Sequence, residues 1–200
     1  MNYLAHLYLA PPGDDGLLGS LMGDFVKGPL TGRYPPGIAH ALILHRRIDA
    51  FTDAHERVRA SRGRVSPPRR RFAGIMVDLF YDHFLARHWS QYCDQDLVAF
   101  TRRVYALLAA RAESLPERMR EIAGRMRAHD WLASYRLVDN IHIALDRMSL
   151  RLTRENRLAG AAAELEAHYE GFEADFRAFF PELARFARLH HHAPGPAHPD

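Results

Sequence analysis

Along most of this chain the apolar residues recur every three or four positions, the spacing of one helix face, and they seldom alternate. Residues 3–10 alternate weakly and fit either a short helix or a strand, ahead of a Pro-Pro-Gly-Asp-Asp-Gly loop. Helical spacing runs from Leu17 to Lys27 and stops at Gly28-Pro29. Pro35-Pro36 opens a long helix predicted to reach Arg62, because proline is tolerated in a first turn and not deeper. Ser66, followed by Pro67, is placed to cap the next helix, which extends to about Trp89. Further helices are predicted over 95–113, 116–128, 131–151 and 154–189, with Pro116 starting one and Pro181 kinking or breaking the last. No run of roughly four to eight β-branched residues between turn signals occurs. The expected fold is therefore all-α, a single-domain bundle of about seven helices over residues 1–189. Residues 190–200, rich in Pro, Gly and His, are expected to form a disordered tail.

Several of these apolar stripes carry groups that a core should exclude. Projected at ~100° per residue, Ile38, Leu42, His45, Asp49 and Thr52 share one narrow stripe of the helix that starts at Pro36. In the following helix Phe72, Ile75, Met76 and Leu79 run on into Asp82 and His83, with Asp78 at the edge. Asp24 follows Leu17 and Leu21 on the inward side, and His6 sits among Leu4, Leu7 and Leu9. Buried polar groups are costly unless paired or bound to an ion, and neighbouring carboxylates repel one another. A divalent cation turns that repulsion into binding energy. Imidazole and carboxylate donors without a thiolate suit manganese, magnesium or iron(II) better than structural zinc. The alternative is a buried ion-pair network in which Arg46 or Arg47 neutralises the carboxylates. A cation held there would activate water and polarise a phosphoryl oxygen, which makes hydrolysis of a phosphate ester the natural chemistry. Arg46 and Arg47 then either stabilise charge on phosphorus as catalytic groups or pair with the carboxylates.

Charge and composition narrow the classes. The 200 residues carry a formal charge of +3, and Cys93 is the single cysteine, so no internal disulfide forms and a cysteine-rich zinc site is excluded. No leader and no apolar run near the ~18 residues of a membrane span is found, so a cytoplasmic protein is expected. Arg57, Arg59, Arg62, Arg64, Arg69, Arg70 and Arg71 form a basic stretch. It reads either as a solvated surface or as attraction for an acidic protein, a phosphate-bearing ligand or nucleic acid. The basic residues are not interleaved with aromatics, which argues against nucleic acid. Motifs of serine hydrolases, P-loops and dinucleotide sites are absent, and so are the paired Glu-x-x-His motifs of di-iron bundles. In "RAHDWLASY" Asp130 stands where a cap for the helix at Trp131 belongs.

The segments "MNYLAHLYLA", "LLGSLMGDFVKG", "GIAHALILHRRIDAFTDAH", "RRRFAGIMVDLFYDHFLARHW" and "AHYEGFEADFRAFFPEL" resemble the acyl carrier protein phosphodiesterases over nearly the whole chain to about residue 188. That resemblance implies an all-helical relative of the HD-type phosphohydrolases, dependent on a divalent cation, usually manganese. It implies removal of the 4'-phosphopantetheine arm from holo acyl carrier protein. Carried onto this sequence, the family's acidic and histidine positions fall on His6, Asp24, His45, Asp49, Asp78, Asp82 and His83 as metal candidates. Asp24 and His83 are also the expected catalytic groups, and Asp53 and His55 are expected at the rim. The order Asp82-His83 reverses that of an ordinary HD pair. Lys27, Arg33, Arg69, Arg70 and Arg71 are the expected docking residues for the acidic carrier. Trp131 and Tyr135 either line a groove for the arm or pack the core. The rival functions are hydrolysis of a small phosphate ester or nucleotide, and a non-catalytic module that binds an acidic protein.

Overall fold

A computed structural model describes residues 1–30, 32–153 and 155–191. The fold is all-α, with no strand among the described residues. Eleven α-helices are described: α1 Tyr3–Tyr8, α2 Asp14–Met22, α3 Pro36–Ala54, α4 Glu56–Arg64, α5 Ala73–Arg87, α6 Leu97–Ala110, α7 Glu117–Ala128, α8 Trp131–Ser134, α9 Val138–Ser149, α10 Ala163–Ala167 and α11 Tyr169–His190. Short 3-10 turns fill Pro67–Phe72, Trp89–Gln91 and Ala112–Ser114. No helix among the described residues is long and apolar enough to cross a membrane. The tail expected over 190–200 lies outside the described residues from 192 onward, and α11 itself reaches His190.

α5 is the axis of the molecule. Met76, Val77, Leu79, Phe80, Tyr81, Phe84 and Leu85 are all buried, so this helix is covered on nearly every side. α11 packs along it through Phe172, Phe176 and Phe179, whose rings meet Phe80, Tyr81 and Phe84 edge-on or tilted. α11 continues through Pro181, where a kink or break was expected. The missing N–H and ring clash cost about 3 kcal/mol, and the buried Phe179, Phe180, Leu183 and Ala184 on either side hold the segment in place. α2 lies so close to α3 that a Cβ on Gly19 would strike Ala41 and the Ile38 carbonyl, so only glycine permits this approach.

The count exceeds the expected seven because long periodic segments are interrupted. The helix from Pro36 ends at Ala54, not Arg62: His55 adopts an extended backbone and its Nδ1 accepts the Arg57 N–H, capping α4. Apolar periodicity does not register such a break, because Val58 resumes the buried face. The segment from Pro67 begins as 3-10 before α5. Ser66 does not cap it; its backbone N–H and hydroxyl both donate to the Glu164 carboxylate. Asp130 likewise leaves α8 uncapped, taking a left-handed backbone while its Oδ1 accepts the Thr101 hydroxyl at 3.1 Å. Only Trp131–Ser134 and Val138–Ser149 of the expected 131–151 helix are α-helical, and the last segment becomes helical at Ala163 rather than 154.

Arg69 completes the Ser66–Glu164 junction, donating to Glu164 Oε1 at 3.3 Å and to the Arg157 carbonyl at 3.1 Å. Burial works to raise the Glu164 pKa, but the bonds from Ser66 and the Arg69 charge outweigh it and hold the group below its ordinary 4.5. A depressed folded-state pKa means stabilisation that is complete above about the unfolded value and fades as pH falls through the folded one. Glu164→Gln is therefore expected to lower stability by about 1–3 kcal/mol at neutral pH. Urea melts across the acidic range should show the deficit shrinking below pH 4.5; a deficit that stays constant contradicts the assignment.

Candidate metal centre

α1, the turn after α2, and the middles of α3 and α5 meet at one point. His45 and Asp49 lie one turn apart on α3 and share a face. The His45 Nδ1–H donates to the Ser20 carbonyl at 2.8 Å, which fixes the tautomer and leaves the Nε2 lone pair facing inward. That tether, a ring N–H held by a backbone carbonyl, is the usual support of a metal-bound imidazole. Nε2 stands 3.2 Å from Asp49 Oδ2 and 3.9 Å from Asp24 Oδ1. His6, delivered by α1, stacks on the His45 ring with centroids 3.7 Å apart, and its Nε2 lies 3.1 Å from Asp49 Oδ1. One ligand atom from each of His6, His45 and Asp49 falls within a 4.8 Å sphere of mutual distances.

The electrostatics of this cluster are compatible with a bound cation. Both His6 ring nitrogens are buried without a well-formed hydrogen bond, although Nε2 is close to Asp49. Burial pulls the His6 pKa to about 3, so the ring is neutral and able to donate a lone pair. Asp49 would be raised by burial, yet the two imidazoles hold it well below the usual carboxylate range. The Met1 α-ammonium lies 3.3 Å from Asp49 Oδ1 and 3.4 Å from Asp78 Oδ1, one positive charge between two carboxylates. Asp24 and Asp78 are both raised, by burial first and by the Asp49 charge as well. Two imidazoles, that of His6 held neutral by burial, with an ionised Asp49 and two further carboxylates nearby, fit a borderline to hard divalent ion.

Gly23 is part of the cradle. A Cβ there would overlap the His45 ring, so the turn between α2 and Asp24 admits the imidazole only because residue 23 has no side chain. Gly23→Ala is expected to displace His45 and weaken divalent-cation binding by about 10–100-fold, the effect of losing a group that orients a metal ligand. Calorimetric titration of the variant with manganese checks this; unchanged affinity would show that the ring does not bind metal.

The chain matches a family model described as acyl carrier protein phosphodiesterase over residues 1–183. A protein of that name from Serratia proteamaculans is 37% identical over 189 residues, covering 94% of this chain and 98% of the relative. One from Salmonella agona is 38% identical over 184 residues, covering 92% and 95%. The chain belongs to the acyl carrier protein phosphodiesterase family. No solved structure matches it.

In this family member not every sequence candidate reaches the centre. Asp82 is fully buried and both its oxygens are taken, Oδ2 by the Leu4 N–H at 2.8 Å and Oδ1 by the Ala5 N–H at 2.9 Å. It anchors the first turn of α1 instead of facing the imidazoles. His83 points away: its Nδ1 donates to the Tyr135 carbonyl and its Nε2 accepts from the Tyr169 hydroxyl, both at 2.8 Å. With both nitrogens committed it has neither a lone pair for a metal nor a proton for a leaving group. Arg46 spends its guanidinium on the Val26 and Gly28 carbonyls, at 3.3 and 2.8 Å. Arg47, two residues from both His45 and Asp49, lies about 200° around α3 from either and pairs with no carboxylate among the described residues. Neither arginine neutralises the cluster.

Asp53 pairs with Arg62, whose charge also reaches Asp78, and His55 pairs with Glu182 at 3.4 Å. Of the expected docking residues, Arg69 is occupied by Glu164 and Arg70 donates to the Val65 carbonyl at 2.9 Å, so both brace the fold. Arg71, Lys27 and Arg33 are exposed, the last two lining one surface hollow. The Met1 amine and the Gly23 cradle escaped sequence reasoning. Gly23 had a signal in "GSLMGDF", a glycine directly before an inward aspartate.

Proposed function

We propose that this chain hydrolyses the phosphodiester linking 4'-phosphopantetheine to holo acyl carrier protein, and that it does so with a divalent cation, manganese first among them. The observation that carries the reading is the convergence of His6, His45 and Asp49, with a fixed His45 tautomer, in a chain of this family. His6, His45 and Asp49 would hold the ion, with Asp24 or Asp78 beside it. A cation there supplies Lewis acidity toward water and the phosphoryl oxygens.

The chain's own groups do the rest. The Ser20 carbonyl holds the His45 ring by Nδ1 and turns Nε2 toward Asp49. Asp49 carries the negative charge that balances the ion. Asp24 is half-exposed on the wall of a cavity of about 310 Å³ that also contains Asp78 and Arg118. Its raised pKa suits it to take a proton from the attacking water and return one to the departing serine oxygen. His83 has no part in this transfer. Cys93 is a free thiol, in keeping with a cytoplasmic protein.

Intact-mass measurement of holo acyl carrier protein after incubation with the chain and manganese tests the proposal. The expected result is loss of the arm's mass, abolished by a chelator. An unchanged carrier mass at every divalent metal tried would overturn it.

A further inference from the structure

Two cavities adjoin beside the metal centre. The outer one, of about 310 Å³, reaches Asp24 and Asp78; the inner one, of about 230 Å³, runs between α8 and α9. Tyr3, Met148 and Arg151 line both, so the two are neighbours across a shared wall. Together they fall in the size range of small-molecule sites, roughly 300–1,000 Å³.

Their chemistry is graded. Arg118 in the outer cavity, Arg147 in the inner one and Arg151 in both make no ion pair or side-chain hydrogen bond among the described residues. Arg62, Arg64 and Arg69, by comparison, are matched to carboxylates. The Tyr3 hydroxyl is kept protonated, its pKa raised to about 12 by burial and by Asp24 against the pull of Arg151 and Arg118. Beside Arg147 and Arg151 the inner cavity also offers amide-like and apolar surface. Asn140 donates its Nδ2 to the Ser134 carbonyl, and its Oδ1 has no protein partner among the described residues. The buried Trp131 Nε1–H has no acceptor among the described residues. Ile143, Ala144 and Met148 supply apolar wall. One unengaged acceptor and one unengaged donor beside apolar surface fit a secondary amide on a flexible chain.

We propose that the inner cavity seats the uncharged, amide-bearing arm of the phosphodiester while Arg118 and Arg151 hold its phosphate at the junction, which makes this cavity the determinant of arm specificity. The inference rests on the proposed phosphodiesterase activity and adds to it where the arm lies. Tyr3 stands at the turn between the two compartments and donates to the phosphate. Arg147 lines the inner cavity alone.

Calorimetry with three probes tests the seat: 4'-phosphopantetheine, pantetheine and inorganic phosphate. Ala144→Phe fills the inner cavity and is expected to weaken both arm-bearing probes by about tenfold or more while leaving phosphate unchanged. Arg118→Ala should weaken phosphate and 4'-phosphopantetheine and spare pantetheine. Where Ala144→Phe lacks a native melting transition, Asn140→Ala reads the same seat without added volume. Wild-type affinity for all three probes in the cavity variant that folds would overturn the proposal. If wild-type protein binds the arm in this pattern yet never cleaves holo carrier, the activity falls and the seat stands. If cleavage proceeds with an unaltered KM in the cavity variant, the seat falls and the activity stands.

Discussion

Asp49→Asn reduces turnover of holo acyl carrier protein by at least about 10³-fold, the scale on which loss of a charge-stabilising active-site group is felt. The substitution keeps the side-chain volume but removes the one carboxylate that touches His6, His45 and the Met1 amine together. An amide offers one oxygen in place of two and no charge, so under the proposed metal reading a divalent ion would lose a ligand and most of its counter-charge. The fold should survive, because Asp49 supports no backbone N–H and its side chain is 41% exposed. Activity by carrier mass and fold by circular dichroism separate the two effects. A variant that retains turnover within about tenfold would remove Asp49 from the chemistry.

Asp82→Ala does the reverse, striking the fold before the chemistry. The carboxylate is fully buried and burial pushes its pKa up to about 7, against the pull of the Leu4 and Ala5 N–H groups. Those two donors belong to the first turn of α1, which has no side-chain cap of its own. Truncation strands both inside the protein at about 1–3 kcal/mol each. Against a total stability of about 5–15 kcal/mol, that lowers Tm by roughly 5–20 °C for a chain of this size. Because α1 carries His6, cation affinity declines along with it. A variant with native Tm and abolished manganese binding would return Asp82 to the ligand set.

The all-α fold and the polar stripe were legible because helical periodicity and burial act on the same residues. His6, His45 and Asp49 lie where the spacing placed them, since a three- or four-residue interval determines a face whatever surrounds the helix. Asp82 shows the limit. A carboxylate on an inward face reads the same from sequence whether it meets an ion or two backbone N–H groups, and the difference lies in which element packs opposite. For Asp82 that element is α1, 77 residues away in sequence. His83 was misplaced for the same reason, its partners Tyr135 and Tyr169 lying far along the chain. The break at His55 was hidden because α4 resumes the buried face at Val58, so periodicity carries across the interruption. Arg46 and Arg47 were tied to the site by adjacency in sequence, which on a helix means separation in space.

Pulsed electron paramagnetic resonance on the full chain, loaded with manganese and carrying 15N-labelled histidine, tests the shared-ion claim most directly. Nuclear modulation from imidazole nitrogen is expected, reduced in His6→Ala or His45→Ala and absent when both are replaced. Bound manganese with no histidine coupling, or a spectrum of aquated ion alone, would contradict it.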